Sequence, residues 1–560
     1  VASTSGVASG PISFMKIIDS VTDVIKQGGK RRGANMGVLS LNHPDIREFI
    51  QLKEEEGKFE NFNISVGTKL DFWEALSSGN KEYELTNPRT GEVADKEDPE
   101  QLLELIAHSA WESADPGMIF FDRINQYNVL ENAKGEIKGT NPCGEQPLYE
   151  YESCNLGSVN LHAFVENGAF DWNSFSKVVK IATRFLDNVI DINTFPIDKI
   201  ERKTKETRKI GLGVMGLADL LYDLEIPYNS EKGYRLMERL SEALTYHSMQ
   251  ESVQLSRERG SFPLYSESSY PEGELPVAGY YERDNYEKDW DKLIKDIKKD
   301  EIRNGMHTTI APTGSISMIG DTSNGVEPEF SLAYEKSVTA GDFYYLNDVL
   351  EKKLKEERIY SEDLIQKISD NYGMLKGLEE VPQKLKDIFC TAMTIHYSDH
   401  LMAQSVWQRW ITASISKTIN MPNNSTVEDV LRSYLLAHQL GLKGITIYRD
   451  GSKSKQVLDM KGDKSKASRP VPSKFAKEYF SNGIDNEYVK RELEKLLESE
   501  FSGGENDIES GIPRGSKAGA GFEQMEDLDR DVCPNCGGKL IQEGGCTKCI
   551  NCGWSVCSIS

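Results

Sequence analysis

Long apolar runs, a surplus of positive charge and cysteines in the body of the chain are what this sequence has little of. In 560 residues there is no run of about 18 consecutive apolar side chains, so nothing reads as a membrane-spanning helix. The first residues, Val1 to Gly10, have neither the basic start nor the apolar stretch of a secretory leader, and a cytoplasmic location is the expectation. Lys and Arg number 66 against 89 Asp and Glu, a net charge of -23. A phosphate backbone is gripped by surplus cations, so this balance argues against general nucleic-acid binding. It leaves a small anionic substrate open, because backbone N–H groups at a helix start hold phosphate whatever the net charge. Of nine cysteines, six fall in the last 28 residues, which points to reduced thiols in the body and a metal or redox module at the end. The length exceeds what one ordinary core supports, so a large catalytic domain with a smaller appendage is expected. Val1 is not a start methionine and stands in a Ser/Gly-rich segment, so the chain is expected to lack its N-terminus.

The stretch Thr140-Asn141-Pro142-Cys143-Gly144-Glu145-Gln146-Pro147-Leu148 organises the rest. Two prolines and a glycine rule out a helix interior and a paired strand, leaving a rigid loop with Cys143 at its tip. Asn141, Cys143 and Glu145 alternate, and in a locally extended loop alternation puts all three on one side. A sulfur that takes a hydrogen, a base that takes a proton and a donor that orients a hydroxyl form a chemically competent set. A surface turn around a buried cysteine is the plainer alternative. Eleven residues after Cys143, Cys154 opens an apolar strand in Glu152-Ser153-Cys154-Asn155-Leu156-Gly157.

At this point the sequence resembles the ribonucleotide reductases. The likeness extends to Gly29-Lys30-Arg31-Arg32-Gly33-Ala34-Asn35, Gly211-Leu212-Gly213-Val214-Met215-Gly216, Ala311-Pro312-Thr313-Gly314-Ser315-Ile316-Ser317, Ser416-Lys417-Thr418-Ile419-Asn420 and Gly444-Ile445-Thr446-Ile447-Tyr448-Arg449, in family order over most of residues 1 to 460. It implies a ten-stranded α/β barrel, here without its first strands, with the Cys143 finger loop threaded through the centre. It also implies a thiyl radical on Cys143, Glu145 as base, Asn141 as orienter of hydroxyls, and Cys154 as one of two reducing cysteines. The second reducing cysteine belongs, by resemblance, to a strand upstream of Val1, so residues 1–560 alone are expected not to turn over. Lys30, Arg31, Arg32 and Gly33 are implied to couple effector deoxynucleotides to substrate choice; a solvated basic turn is the other reading.

Periodicity fills in the remainder. A helix is expected over Phe14–Lys26, a strand over 37–41, a helix over 44–53, irregular polar chain over 82–100, a helix over 101–113 and a strand near 118–121. Alternating strands and helices of this kind indicate an α/β architecture with a parallel sheet. Gly211, Gly213 and Gly216 spell a dinucleotide-like G-x-G-x-x-G but lack the accompanying unit, so packing is their expected role. Thr308 to Ser317 reads as a strand, a hydroxyl-rich turn and a helix start, the physical recipe for an anion site, and Pro312, Thr313, Gly314, Ser315, Ile316 and Ser317 are the expected substrate-phosphate residues. A hydroxyl-rich N-cap with no ligand is the alternative. Cys390 reads as a small core residue on a helix. His396 and His400 are four apart without a third ligand and are not expected to bind metal.

From about 461 to 531 the composition is that of a polar, partly disordered linker, with one helix expected over 487–501. Residues 532–560 then carry Cys533-Pro534-Asn535-Cys536-Gly537 and Cys549-Ile550-Asn551-Cys552-Gly553, two knuckles that bring four thiolates to one tetrahedral zinc. Cys546 and Cys557 remain for thiol–disulfide exchange, although Cys546 with Cys549 as the redox pair and Cys552 with Cys557 as ligands is the other partition. Among reductases, class I large subunits receive their radical through two adjacent tyrosines; the matching place here is Ile447-Tyr448-Arg449. The glycyl-radical motif of class III is not in the tail. The resemblance is therefore to class II, which implies adenosylcobalamin as cofactor, ribonucleotides (diphosphates first) as substrate, a thioredoxin-like reductant and a homodimer when complete. A class I large subunit and a zinc-ribbon nucleic-acid binder are the alternatives, the latter opposed by the acidic Glu526, Asp527, Asp529, Asp531 and Glu543.

Overall fold

A computed structural model describes residues 10–27, 31–55, 57–282, 286–338, 341–453, 469–482, 540–543, 546–549 and 555–557; in the last three segments and at 26–27, 31–32, 334–338, 341–344 and 480–482 it describes the backbone alone. The strands that matter for the site are β1 (Asn35–Ser40), β2 (Phe62–Thr68), β3 (Gly117–Phe120), β4 (Asn155–Asn160), β5 (Ile210–Met215), β6 (Thr418–Met421) and β7 (Gly444–Arg449). β1, β2 and β3 run parallel. β7 joins β3 antiparallel and carries β6 parallel on its other side. The chain just before β6 bridges to 307–310 through Ile415 and Ile310, and 307–310 bridges to β5 through Thr308 and Leu212. β5 in turn pairs with β4, parallel, from Asn155 beside Ile210 to Asn160 beside Met215. Three parallel strands thus meet five extended segments of opposite direction at the β3–β7 seam.

This is the expected α/β arrangement. Among the described residues the array is open, with β1 and β4 at its two edges. A ten-stranded ring needs two further strands between them, and none of the described residues supplies these. Along β4 lies an apolar groove of about 430 Å³ between Leu156, Val159, Phe164, Val178, Phe185 and Leu212.

Buried parallel strands read as unbroken apolar runs because both faces are covered. β5, Ile-Gly-Leu-Gly-Val-Met, is buried at every position, as is β3. Helix α1 (Trp172–Ile192) starts under the carboxylate of Asp171, which accepts from the backbone N–H of Asn173 and Ser174, and packs beneath β4 and β5. Helix α2 (Glu231–Arg259) begins at the Ser230 cap and fills the space between α1 and the helix Tyr397–Gln408. Gly211 and Gly213 do the packing work expected of them. A β-carbon at Gly213 would overlap the carbonyl oxygen of Thr309, and one at Gly211 would meet Leu156 at 2.5 Å and the Gln146 amide at 2.6 Å.

Several boundaries differ from the periodicity. The first helix spans Gly10–Val24 and turns its apolar stripe outward, with Phe14 63% and Val24 81% exposed. Residues 83–97, expected to be irregular, form a hairpin of Tyr83–Thr86 with Val93–Glu97: Tyr83 and Leu85 bury one face of the first strand, and Glu84 stands opposite Lys96 across the pair. Cys390 is buried as expected, but in the loop after helix Gln383–Ile388 rather than on a helix. Residues 469–482, expected to belong to the linker, pack on the main body: Ala476 is buried, Ser473 donates its backbone N–H to Asp399, and Phe475 meets the ring of Tyr234. The helix expected over 487–501 lies outside the described residues. Among the described residues no helix is long and apolar enough to cross a membrane.

The Gly213 contact gives a direct test. Gly213→Ala forces the 307–310 segment off β5 and should cost about 1–3 kcal/mol, lowering the melting temperature by about 1–3 degrees. Gly314→Ala, where an added methyl meets nothing within 4 Å, should leave it unchanged. Equal melting temperatures for both variants would show that the glycine is not needed for the close approach.

Candidate active site

The finger is a closed turn rather than the extended loop expected. Gly139–Thr140 pairs with Pro147–Leu148, and between them Gly144, at φ +78, donates its N–H to the carbonyl of Asn141. The side-chain oxygen of Asn141 accepts from the backbone N–H of Gln146 at 2.9 Å. The turn therefore separates what alternation would have aligned: Cys143 is exposed at the tip, Asn141 is half-buried, and Glu145 is 2% exposed. The turn also rejoins two of them, because the Asn141 side chain hydrogen-bonds to the Glu145 carboxyl.

Both halves of the array hold the finger. From the first, Asn63 on β2 donates to the carbonyl of Pro142 at 2.6 Å, and Ile119 on β3 lies under Gly144. From the second, the carbonyl of Glu145 accepts from the Ser414 backbone N–H at 3.0 Å and the Thr309 hydroxyl at 2.8 Å. The loop is thus strung across the interior of the array, as the resemblance implied.

Burial raises the pKa of Glu145, and the Asn141 hydrogen bond only partly offsets it. One carboxylate oxygen is buried with no partner in the protein, which suits a base waiting for a substrate hydroxyl. Cys154, half-buried at the head of β4, donates its thiol to the carbonyl of Asn155. Burial pushes this thiol well up; Lys209 opposes the shift, while Glu152 and Glu145 add to it. Glu145 is thus near enough to be felt at Cys154. The structure brings Asn141, Glu145 and Cys154 to one place, with Cys143 at the loop tip.

A second buried carboxylate lies in the turn between the two cysteines. Glu152 accepts from Lys209 at 2.7 Å, from the Thr207 hydroxyl at 2.9 Å and from the Tyr149 backbone N–H at 2.9 Å, and Lys134 approaches at 3.3 Å. Burial alone would raise its pKa; Lys209 and Lys134 outweigh burial and hold it below the usual carboxylate range.

The turn after 307–310 is where the phosphate residues were expected, and it is only partly available. Thr313 is buried and its hydroxyl accepts from the Gly325 N–H. Ser317 is buried against the side chain of Asn324. Two of the three hydroxyls expected as ligands therefore hold the 322–325 loop instead. Pro312, Gly314, Ser315 and Ile316 are exposed at the start of the short helix Ile316–Ile319, whose first internal bond runs from Ser317 N–H to Thr313 carbonyl. The N–H groups of Gly314, Ser315 and Ile316 precede that bond and point out of the helix start. They stand at the carboxyl end of a parallel strand, where α/β sheets bind ligands.

Of the effector-loop residues, Lys30 lies outside the described residues, and Arg31 and Arg32 pair with Lys26 and Gln27. In the tail, Cys533, Cys536 and Cys552 lie outside the described residues. Cys546, Cys549 and Cys557 fall on a small antiparallel sheet in which Cys546 is register partner to Cys557. Among the described residues no His, Cys, Asp and Glu cluster could hold a metal. His396 caps the helix Tyr397–Gln408, and His400 is buried between Lys417 and the carbonyl of Ala392.

Residue reading missed Asn63, Thr309, Ser414, Glu152 and Lys209. Nothing local marks the first three, which act through backbone groups far away in sequence. Lys209 carried a signal: a lysine directly ahead of a wholly apolar strand must find a buried partner.

Comparison with known proteins gives a consistent answer. The barrel-domain model of the ribonucleotide reductases matches residues 1–448. The vitamin B12-dependent ribonucleoside-diphosphate reductase of Thermoplasma acidophilum is 46% identical over 462 residues, covering 82% of this chain and 56% of the relative. The protein of the same name from Mycobacterium tuberculosis is 38% identical over 484 residues, covering 86% of this chain and 65% of the relative. The chain thus spans between about half and two thirds of the length of these relatives. The solved structure of the Actinobacillus ureae class Id ribonucleotide reductase alpha subunit overlays with a TM-score of 0.62 at 24% identity, covering 79% of this chain and 75% of that one.

The environment of Glu145 predicts a pH-dependent stability effect. A carboxyl whose folded pKa is raised contributes fully below the unfolded value and loses that contribution as the pH rises through the folded pKa. Glu145→Gln removes the buried charge, so its melting temperature should exceed that of the parent at pH 8, and the gap should close below about pH 4, where both side chains are neutral. A gap that does not change with pH would mean that Glu145 carries no buried charge.

Proposed function

The chain belongs to the ribonucleotide reductase family, and from that premise we propose that it reduces ribonucleotides, diphosphates first, to 2′-deoxyribonucleotides by a radical on Cys143. The observation that carries this reading is the finger: an exposed Cys143 held by both halves of the array, with the half-buried Asn141 beside the buried Glu145 carboxyl and Cys154 next to them. In the proposed cycle the Cys143 thiyl takes the 3′ hydrogen of the ribose. Glu145 takes the 3′-hydroxyl proton, and Asn141 orients the hydroxyls. The 2′-hydroxyl leaves as water. Cys154 and a second thiol supply two electrons and two protons and become a disulfide, so that ribonucleotide plus two thiols gives deoxyribonucleotide, disulfide and water. The 3′ hydrogen then returns from Cys143 and the 3′-oxygen proton from Glu145, which leaves both groups as they began. Cys390, the third cysteine of the described main body, is buried where Tyr222 donates to its carbonyl, so we place the second reducing thiol outside the described main body.

The exposed N–H groups of Gly314, Ser315 and Ile316, beside Pro312, are proposed to hold the substrate phosphates, with Thr313 and Ser317 shaping the loop. Lys30, Arg31, Arg32 and Gly33 are proposed as the effector-responsive loop. In the tail we propose one zinc on Cys533, Cys536, Cys549 and Cys552, with Cys546 and Cys557 as the exchange pair; their facing register supports that partition. A thioredoxin-like reductant and a homodimer complete the proposal.

Adenosylcobalamin is the proposed cofactor, supported by the names of the curated relatives. When bound, it supplies a carbon radical by cobalt–carbon homolysis. The residues present fit that supply in two respects: Cys143 is reachable from outside, and Tyr448 is half-buried on β7 without the adjacent tyrosine that a relay needs.

Assayed in the natural polypeptide that contains these residues, Cys143→Ser should cut deoxyribonucleotide formation by roughly 10³-fold or more with no change in melting temperature, because a hydroxyl cannot replace the weak S–H bond. Near-normal turnover by that variant would sink the assignment. Elemental analysis should find one zinc per chain, lost in Cys533→Ser and kept in Cys546→Ser; the reverse pattern would overturn the ligand partition.

A further inference from the structure

Lys209 has no part in the chemistry described so far, yet it is a lysine with a 1% exposed side chain at the head of β5. Its position relative to Cys154 follows from strand register. Asn155 is the partner of Ile210, so one step earlier in a parallel pair Cys154 stands beside Lys209, with backbones about 4.8 Å apart. Parallel partners share a face, and every second residue returns to it. The face of Leu156 and Gly211 carries the Gln146 amide of the finger, since an added β-carbon at Gly211 would meet both side chains. Two residues back, Cys154 and Lys209 face the finger from the same side.

The ammonium of Lys209 cannot swing away. Glu152 fixes it at 2.7 Å, and the Tyr149 ring lies against it at 4.5 Å. Glu152 is in turn held by Thr207, the Tyr149 N–H and Lys134. Lys134 approaches the other oxygen of this carboxylate, so the two lysines share an ion-pair partner, but only Lys209 is the strand neighbour of the thiol.

We propose that Lys209 is a positioning residue for the reducing thiol: held by Glu152 beside Cys154, it stabilises the thiolate whenever that thiol gives up its proton. The inference rests on the reading of Cys154 as a reducing thiol and deepens it. The charged groups acting on the sulfur are Lys209, Glu152 of the preceding turn and Glu145 of the finger; the two carboxylates oppose thiolate formation and Lys209 alone favours it. The neighbouring helix Asp198–Thr207 offers the hydroxyl of Thr204 to Ser153, and α1 accepts the Asn155 amide at the Leu186 carbonyl, both uncharged contacts. With burial also opposing ionisation, removing Lys209 leaves nothing on the favourable side.

The test is the pH dependence of Cys154 alkylation by iodoacetamide, read peptide by peptide with mass spectrometry, in the natural polypeptide containing these residues. Lys209→Gln keeps a hydrogen bond to Glu152 but removes the charge. Its alkylation midpoint should move up by about one pH unit, which is about a tenfold slower reaction at any pH below the midpoint. Lys209→Arg should restore the parent profile, and Lys134→Met, which loosens the same carboxylate without bordering the thiol, should leave it in place. If Lys209→Gln does not fold, Lys209→Gln with Glu152→Gln leaves no buried charge unmatched, and its midpoint should still rise, because Lys209 weighs more on the thiol than Glu152. A parent-like profile for the charge-removing variant, or an equal shift in Lys134→Met, overturns the inference. The readout is independent of turnover: an unchanged profile defeats the inference even if deoxyribonucleotide is made, and a shifted one upholds it even if Cys154→Ser leaves product formation intact.

Discussion

The carbonyl of Glu145 is the point at which the finger is tied to the sheet, and its two donors, the Ser414 N–H and the Thr309 hydroxyl, come from segments that must lie side by side. They can do so because Gly213 offers no β-carbon to the Thr309 carbonyl and Gly211 leaves room for the Gln146 amide. A catalytic loop built on such supports keeps its geometry without having to be rigid in itself. The prolines of the finger limit the turn, but the sheet decides where Cys143 points.

Two carboxylates seven residues apart show how environment rather than residue type assigns a role. Glu145 is buried with one oxygen unpartnered and is pushed toward its protonated form. Glu152 is buried too, but two lysines, a hydroxyl and a backbone N–H hold it ionised. The first is driven toward its neutral form, as the proposed base requires, and the second is a fixed charge, the division expected when neighbouring acids are driven apart by their surroundings. Breaking a buried, fully partnered ion pair typically costs about 3–5 kcal/mol, so the Glu152 cluster also pins the turn that links the finger to β4.

The same logic limits the turn proposed to hold phosphate. Hydroxyls in a Thr-Gly-Ser-Ile-Ser run all look like donors on paper, yet Thr313 and Ser317 are committed to the 322–325 loop. What remains outward is backbone N–H and Ser315, at the carboxyl end of a parallel strand. A phosphate held chiefly by main-chain dipoles fits a protein with a net charge of -23, since such a site needs no local surplus of lysine and arginine.

Much was legible in the order of residues alone: the Pro-Cys-Gly turn, the packing role of Gly211 and Gly213, and the motif order that carries the family resemblance. These are local signals, set by the dihedral preferences of proline and glycine and by apolar spacing over one or two turns. The sequence did not reveal that Asn141 uses its oxygen to close the turn and its side chain to reach Glu145, nor that residues 469–482 belong to the main body. It gave no sign that Lys209 stands beside Cys154. Each of these depends on pairing between segments far apart in the chain, as when Thr309 grips a carbonyl 164 positions earlier. Periodicity says which face of an element is apolar; only the packed sheet, by fixing register and neighbours, decides which polar group meets which.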